Sequence, residues 1–310
     1  MNINHMENEY LPDVLRVFLM YQNTAMTVNG ENYAWFNRPD WTEGCAVADS
    51  FIIAAELWKT TKNDEWIDFL HHITYNGFFY NQRPNGGFGC NTCTRIEEPS
   101  IKPYEELYEA YWCCTMRGGE GLSKLCTYMA AEENNTIFLP FTMSGTIKVK
   151  IDGKSILFEE SSEYPEFGSI SLIVMDSEYS EEIKLAIYTG KSAPMLNVEV
   201  NGSQTAYSHE GSFVYISMLP LKGNTIRVSY KISLELDEIS RDLFRYRHGS
   251  LLLAHIANDE LVKRSELGEV LQENGSIYQT EAGKLFPLKN MFRCTDQEVK
   301  DTILQVLFPG

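Results

Sequence analysis

The sequence predicts an α+β chain of more than one domain, helical first and β-rich after. Three observations carry that reading. Up to about residue 134 the apolar residues recur at helical spacing, and from about Asn135 they alternate with period two. The chain has 310 residues, which at roughly 150 per domain suggests two domains or more. With 44% hydrophobic and 12% aromatic residues it can bury a real core, so disordered and fibrous classes are excluded.

The elements follow in order. Glu9 to Asn23 spaces Leu11, Val14, Leu15, Phe18, Leu19 and Tyr21 as a helix does, with Pro12 tolerable in a first turn. Cys45 to Thr60 is rich in helix formers and apolar over most of its faces, so a buried helix is expected. Asp64 can cap a third helix that ends at Gly77, and the Gly- and Asn-rich stretch RPNGGFGCNTC reads as loop. Tyr104 to Tyr111 and Gly119 to Glu132 read as two shorter helices. Beyond Asn135 come six alternating runs: TIKVKIDG, SISLIVMD, IKLAIYT, MLNVEVNG, SFVYISM and TIRVSYKISLEL. Turn pairs such as Asp152-Gly153 and Asn201-Gly202 separate them, as in an antiparallel β-sandwich. The division expected is a helical domain over 1–134, a β-sandwich over 135–236 and a second, partial β region over 237–310, where SLLLAHIA is the clear apolar run.

Charge and cysteine usage narrow the partners. There are 26 Lys plus Arg against 43 Asp plus Glu, a net charge of −17, which repels nucleic acid and anionic membranes. No run of 18 apolar residues is present, and the N-terminus has no basic segment followed by an apolar one, so neither a span nor a signal peptide is expected. Six of the seven cysteines lie between Cys45 and Cys126, with Cys294 apart. That is a poor disulfide framework and suits a reduced, cytoplasmic protein with a local thiol or metal site.

Four features bear chemistry: Glu43-Gly44-Cys45, Cys113-Cys114, Cys90-x-x-Cys93 and Glu31. One carboxylate and three thiols can complete a tetrahedral Zn²⁺ shell, and the ion would keep a bound thiol ionised. The residues leave alternatives open. Asp40 to Glu43 also makes an acceptable capping box, and Cys90 with Cys93 could form a structural zinc site closed by Cys113 and Cys114. Cys126 reads as a small buried hydrophobe, Glu31 alone as a surface acid, and His71 and His72 as facing different sides of their helix.

The ordered set Gly30-Glu31, Glu43-Gly44-Cys45-Ala46, Tyr75-Asn76-Gly77 and Trp112-Cys113-Cys114, with a β-sandwich after it, resembles glycoside hydrolase family 127, the β-L-arabinofuranosidases. His248 to Ala254 is similar to a strand of that family's second β region. The resemblance implies an (α/α)6-type toroid, of which residues 1–134 are the C-terminal half and carry the site. It implies that Glu43, Cys45, Cys113 and Cys114 bind Zn²⁺, with Cys113 as nucleophile and Glu31 as general acid/base in retaining hydrolysis of a furanoside or oligosaccharide. A half-toroid leaves an apolar helical side open, so an oligomer or a partner chain is expected to cover it. The rival expectation is a non-catalytic remnant or subunit, in which the zinc is structural and the β-domain serves binding or assembly.

Overall fold

The computed structural model describes residues 4–35, 38–92, 99–102, 112–257, 260–293 and 303–310. Its helices are α1 (Asn4–Ala25), α2 (Gly44–Thr61), α3 (Asp64–Ile73), α4 (Phe79–Asn81) and α5 (Trp112–Tyr128), with a π-helical turn at Thr74–Phe78 between α3 and α4. α1 starts earlier than its apolar spacing suggests, so Pro12 lies inside it and not in its first turn. The cap of α3 is Asn63, whose side chain accepts the Glu65 N–H at 3.0 Å. Asp64 instead accepts the Ser212 N–H at 3.1 Å, tying the helix to the β-region.

Two glycine readings are corrected by packing. Gly77 does not end its helix: the chain continues helically to Asn81. A Cβ on Gly77 would stand 2.7 Å from the Gly30 carbonyl oxygen, so this glycine lets two backbones touch. Likewise α5 begins at Trp112, well before Gly119, and ends at Tyr128, with Ala131–Glu133 a strand. Gly118 and Gly121 sit inside α5 because a Cβ there would meet the rings of Phe88 at 2.2 Å and Phe78 at 2.7 Å. The helix expected over Tyr104 to Tyr111 lies outside the described residues.

The alternating runs form two facing sheets. One has the order Ser203–Gln204, Asn197–Val200, Thr225–Tyr230, Gly168–Ser177, Lys154–Ser162, Gly145–Ile151. The other runs Ser208–Glu210, Phe213–Met218, Ile183–Tyr188, Thr136–Leu139, Ala131–Glu133, with Thr136–Leu139 parallel to Ile183–Tyr188 and its other pairs antiparallel. Ile156, Phe158, Leu172 and Val174 of the first sheet meet Ile137, Leu185, Ile187 and Ile216 of the second in one apolar core. The second sheet is buried on its other face too. Ala186, Tyr188 and Phe213 point away from the sandwich and join Phe51, Trp58, Ile67 and Phe78 of the helices. That shared wall explains why LAIY in IKLAIYT departs from strict alternation.

TIRVSYKISLEL, read as one run, is two strands in different sheets: Thr225–Tyr230 in the sandwich and Leu234–Ser240 in a third sheet. Leu234–Ser240, Leu243–His248, Leu251–Ala257, Gly283–Pro287, Ile277–Thr280 and Leu271–Asn274 lie side by side there. Ile303–Gln305 pairs with Leu251–Ala257 and also with Ser100–Ile101, a strand from the cysteine-bearing part of the chain. Asn76 completes the junction by donating to the Ser250 carbonyl at 2.8 Å and accepting the Leu252 N–H at 2.7 Å.

His71 is fully buried, stacked on Tyr188 with ring centroids 3.7 Å apart. Its Nε2 donates to the Pro140 carbonyl at 2.7 Å and its Nδ1 faces the Tyr164 hydroxyl at 3.2 Å. Burial pushes its pKa down to about 3. The unfolded chain, with an ordinary histidine near 6.5, therefore takes up the proton first. This group's stabilisation is complete above about pH 6.5 and is lost as pH falls towards about 3, at roughly 1.4 kcal/mol per pH unit. Glu160, raised to about 8 by burial, acts in the opposite sense, losing stability as pH rises from about 4.5 to about 8. The comparison is therefore between the protein and His71→Gln: urea midpoints from pH 7 to 4 should fall less steeply in the variant.

Candidate metal and active site

The site begins with a hairpin. Tyr33–Trp35 pairs with Arg38–Thr42, and the Glu43 N–H donates to the Asn32 carbonyl at 3.1 Å, so Glu31 and Glu43 are drawn together across the sheet. Glu43 is the N-cap residue of α2 but makes no side-chain cap bond, which rules out the Asp40–Glu43 capping box. Its carboxylate turns instead to the Cys114 thiol, which donates to Oε1 at 3.2 Å. Gly44 leaves room for this, since a Cβ there would lie 3.1 Å from the Gly89 carbonyl oxygen and 3.2 Å from Cys114 Cβ. Cys45 occupies the first turn of α2, and Cys113 and Cys114 the first turn of α5. Two helix N-termini, with their partial positive charge, thus converge on groups that ionise to anions.

Glu43, Cys45, Cys113 and Cys114 place one ligand atom each within 4.8 Å of one another. Cys45 Sγ and Cys114 Sγ are 3.7 Å apart, and a tetrahedral ion with metal–sulfur bonds of about 2.3 Å requires sulfurs about 3.8 Å apart. The donor set and its spacing fit a four-coordinate, thiophilic divalent ion. Without a cation the groups hold one another's protons. Cys45 is pushed up to about 12 by burial, then by Cys113 and Glu43. Cys114 is raised by its bond to Cys90, by burial and by the Glu43 carboxylate. A divalent charge would reverse that balance. Cys113 is exposed and Cys114 buried, so the adjacent thiols differ in access. Cys126 is exposed on the outer side of α5, not a buried hydrophobe as read from sequence.

Glu31 lies behind the cluster and is wholly enclosed. Its Oε1 accepts from Asn81 at 2.6 Å, Asn91 at 2.7 Å and Thr42 at 3.1 Å, and its Oε2 from Asn29 at 2.8 Å. Burial raises its pKa, and the four donors oppose that rise. Thr42 precedes Glu43 and Asn91 follows Cys90, so this carboxyl is joined to both ligand-bearing segments. Sequence reading missed Thr42, Asn81 and Asn91 as partners of Glu31. Their only signal was the asparagine-rich loop, which reads equally well as turn chemistry. Cys93 lies outside the described residues. His71 and His72 do face different partners, His72 Nε2 donating to the Val28 carbonyl at 3.0 Å.

A cavity of about 820 Å³ lies away from the thiols. It lies where helices and both β-regions meet, lined by Asp68, His72, Tyr164, Tyr188, Arg245 and Arg247 among others. Gly30, next to Glu31, reaches its wall.

The folded chain packs helices carrying a candidate site on an antiparallel β-rich region. Solved structures identify this fold as that of glycoside hydrolase family 127. A family 127 β-arabinofuranosidase superposes with a TM-score of 0.70 at 16% identity over 93% of this chain and 55% of its own. The family 127 β-L-arabinofuranosidase of Geobacillus stearothermophilus T6 gives 0.70 at 14% identity, over 98% and 57%. A third structure, titled glycoside hydrolase, gives 0.71 at 13%, over 94% and 61%. The chain thus spans somewhat over half the length of these neighbours. No protein-family model matches the sequence, and the search of curated proteins finds no match. No described helix is long and apolar enough to cross a membrane.

The enclosure of Glu31 makes a stability prediction. Glu31→Gln replaces an all-acceptor group with one whose amide N–H₂ must face amide donors. It should cost about 1–3 kcal/mol, read as a lower urea midpoint at pH 7. An unchanged midpoint would show that the four bonds are not made together.

Proposed function

We propose that the chain is a glycoside hydrolase of the retaining, cysteine-nucleophile kind, acting on a β-L-arabinofuranoside or related furanoside. The observation that carries this reading is the set of four ligand atoms within 4.8 Å at the starts of α2 and α5, in a fold shared with β-L-arabinofuranosidases. Glu43, Cys45, Cys113 and Cys114 would hold Zn²⁺. Bound there, the ion would supply positive charge that keeps sulfur ionised at neutral pH. Cys113, the exposed member of the pair, attacks the anomeric carbon, and its neighbour Cys114 stays buried. Glu31 protonates the leaving oxygen and later takes a proton from water. Burial raises the proton affinity of that carboxyl.

The helices are read as part of an α/α toroid with one side open. Exposed Val14, Val17 and Ile53 flank a groove with Tyr10, Phe18 and Tyr21 between α1 and α2. An oligomer or a partner chain covers that side in this reading. The alternative is a non-catalytic protein with a structural zinc, favoured by the enclosure of Glu31 and by a cavity of about 820 Å³ lined by none of the four ligands.

Purified protein should carry about one zinc per chain, checked by elemental analysis, and a zinc-free protein would sink both readings. A furanosyl electrophile directed at cysteine separates the two. Labelling of Cys113, with turnover abolished in Cys113→Ser, is expected of the enzyme, and no labelling of the structural site. Light scattering should report a mass above that of one chain, and the isolated chain should hydrolyse arabinofuranosides weakly. An efficient monomer would contradict the open-side reading.

A further inference from the structure

We infer that the cavity between the helices and the two β-regions is a second binding site, which takes the carboxylate of an acidic sugar on Arg245. Glu31, Glu43, Cys45, Cys113 and Cys114 line no part of it, so this site stands apart from the reading of the thiol cluster.

The seat for an anion comes from strand register. Arg245 lies opposite Asp237 and Arg247 opposite Glu235 on the paired strands Leu234–Ser240 and Leu243–His248, so the period of two puts all four side chains on one face. Arg247 spends its whole guanidinium there. Its Nε donates to Asp237 Oδ2 at 2.6 Å, its Nη2 to Glu235 Oε2 at 2.5 Å and its Nη1 to the Gly249 carbonyl at 3.1 Å. Arg245 spends only Nε, which donates to Asp237 Oδ2 at 2.9 Å. Its two Nη groups make no hydrogen bond among the described residues, and the side chain forms part of the cavity wall. A guanidinium held at Nε presents those Nη groups as a fork, which suits a carboxylate accepting two parallel bonds. Burial lowers the Arg245 pKa, Asp237 opposes that fall and Arg247 adds to it, so the group is short of negative charge.

Charge and lining agree on the ligand. The cavity wall carries Lys191, Lys231, Arg245 and Arg247 against Asp68 and Glu235, and Asp237 bonds to both arginines. Four cations against three carboxylates leave one positive charge, in a chain whose net charge is −17. His72 adds none, because burial and then the two arginines push its pKa down to about 3. One surplus charge matches a monoanion. Phe69, Tyr164, Tyr188 and Tyr230 supply aromatic wall, and Gln22, Asn23 and Ser233 supply amide and hydroxyl groups. Glu235 keeps Oε1 to accept from a ligand hydroxyl, since Oε2 takes Arg247. Small-molecule sites combine aromatic walls with a few polar groups in roughly 300–1,000 Å³, and this cavity has about 820 Å³. A sugar ring lies against the aromatic side chains, its hydroxyls meet the amides and Glu235, and its carboxylate goes to Arg245.

Titration of the full chain with D-glucuronate and D-galacturonate, beside D-glucose, D-galactose and inorganic phosphate, tests this by ligand-observed NMR. At least one uronate should bind saturably, about 10-fold or more tighter than its neutral counterpart, and more weakly as salt is raised. Arg245→Gln should abolish that preference. Lys231→Glu changes an exposed side chain with no ion pair among the described residues, so it keeps the test valid if the Arg245 variant folds poorly. It should weaken the uronate several-fold and leave the neutral sugar unchanged. Cys113→Ser should bind the uronate as the unsubstituted chain does. No uronate binding, or equal binding of uronate and neutral sugar, overturns the inference. Phosphate binding without uronate binding overturns it too, since the cavity would then hold a bare anion. Uronate binding that survives both Arg245→Gln and Lys231→Glu places the ligand elsewhere. Binding lost in Cys113→Ser puts it at the thiol cluster and ends the claim of a second site.

Discussion

A buried carboxylate cannot be left without partners, and here that constraint assembles the site. Transfer of Glu31 out of water costs several kcal/mol unless donors replace the lost hydration. The four donors come from four places: Asn29 in the turn after α1, Thr42 on the hairpin, Asn81 at the end of α4 and Asn91 after Cys90. Satisfying one side chain therefore draws four segments together. Two of these segments carry Glu43 and Cys90, so the sulfur-rich cluster inherits its position from a carboxylate that touches none of its thiols among the described contacts.

Around this centre the packing is unusually close, and glycine is the means. Gly77 lies against Gly30, Gly44 against Gly89 and Cys114, Gly89 against Arg83, and Gly118 and Gly121 against the rings of Phe88 and Phe78. None of these five positions requires a left-handed backbone, because positive φ is found elsewhere, at Gly30 and Gly86 for example. The missing Cβ is what matters. An alanine at Gly77 or Gly44 would push backbone against backbone, and backbone has no rotamer with which to yield.

The second sheet of the sandwich gives the assembly its rigidity. Buried on both faces, it carries Leu185, Ile187 and Val214 into one core and Ala186, Tyr188 and Phe213 into the other. Its side chains reach the helices directly: Tyr188 stacks on His71 and donates to Asp68 at 3.1 Å, and the Ser212 hydroxyl donates to Asp68 at 2.8 Å. A protonated His71 would carry a buried charge among aromatic rings, with only the Tyr164 hydroxyl facing its second ring nitrogen. Acid therefore acts on the junction between helices and sheet before it reaches either core.

Much of this was legible in the chain itself. Period-two alternation marked the sandwich strands because one-sided burial writes itself into every second residue, as in the GTIKVKI strand. The family likeness was carried by the order of Gly30-Glu31, Glu43-Gly44-Cys45, Tyr75-Asn76-Gly77 and Cys113-Cys114, and the fold bears that likeness out. Local signals misled where a residue served a distant contact. Gly77 reads as a helix stop and is a contact with Gly30; Asp64 reads as a cap and is a bond to Ser212. Asn81 and Asn91 gave no site signal, since nothing in a one-dimensional spacing says that their side chains converge on Glu31. Sequence alone determined the succession of a helical part and a β-rich part and which residue types could hold a metal, because both depend on near neighbours. Tertiary structure alone decided which of those residues meet, because a hydrogen bond between residues 31 and 91 depends on how the intervening chain folds back.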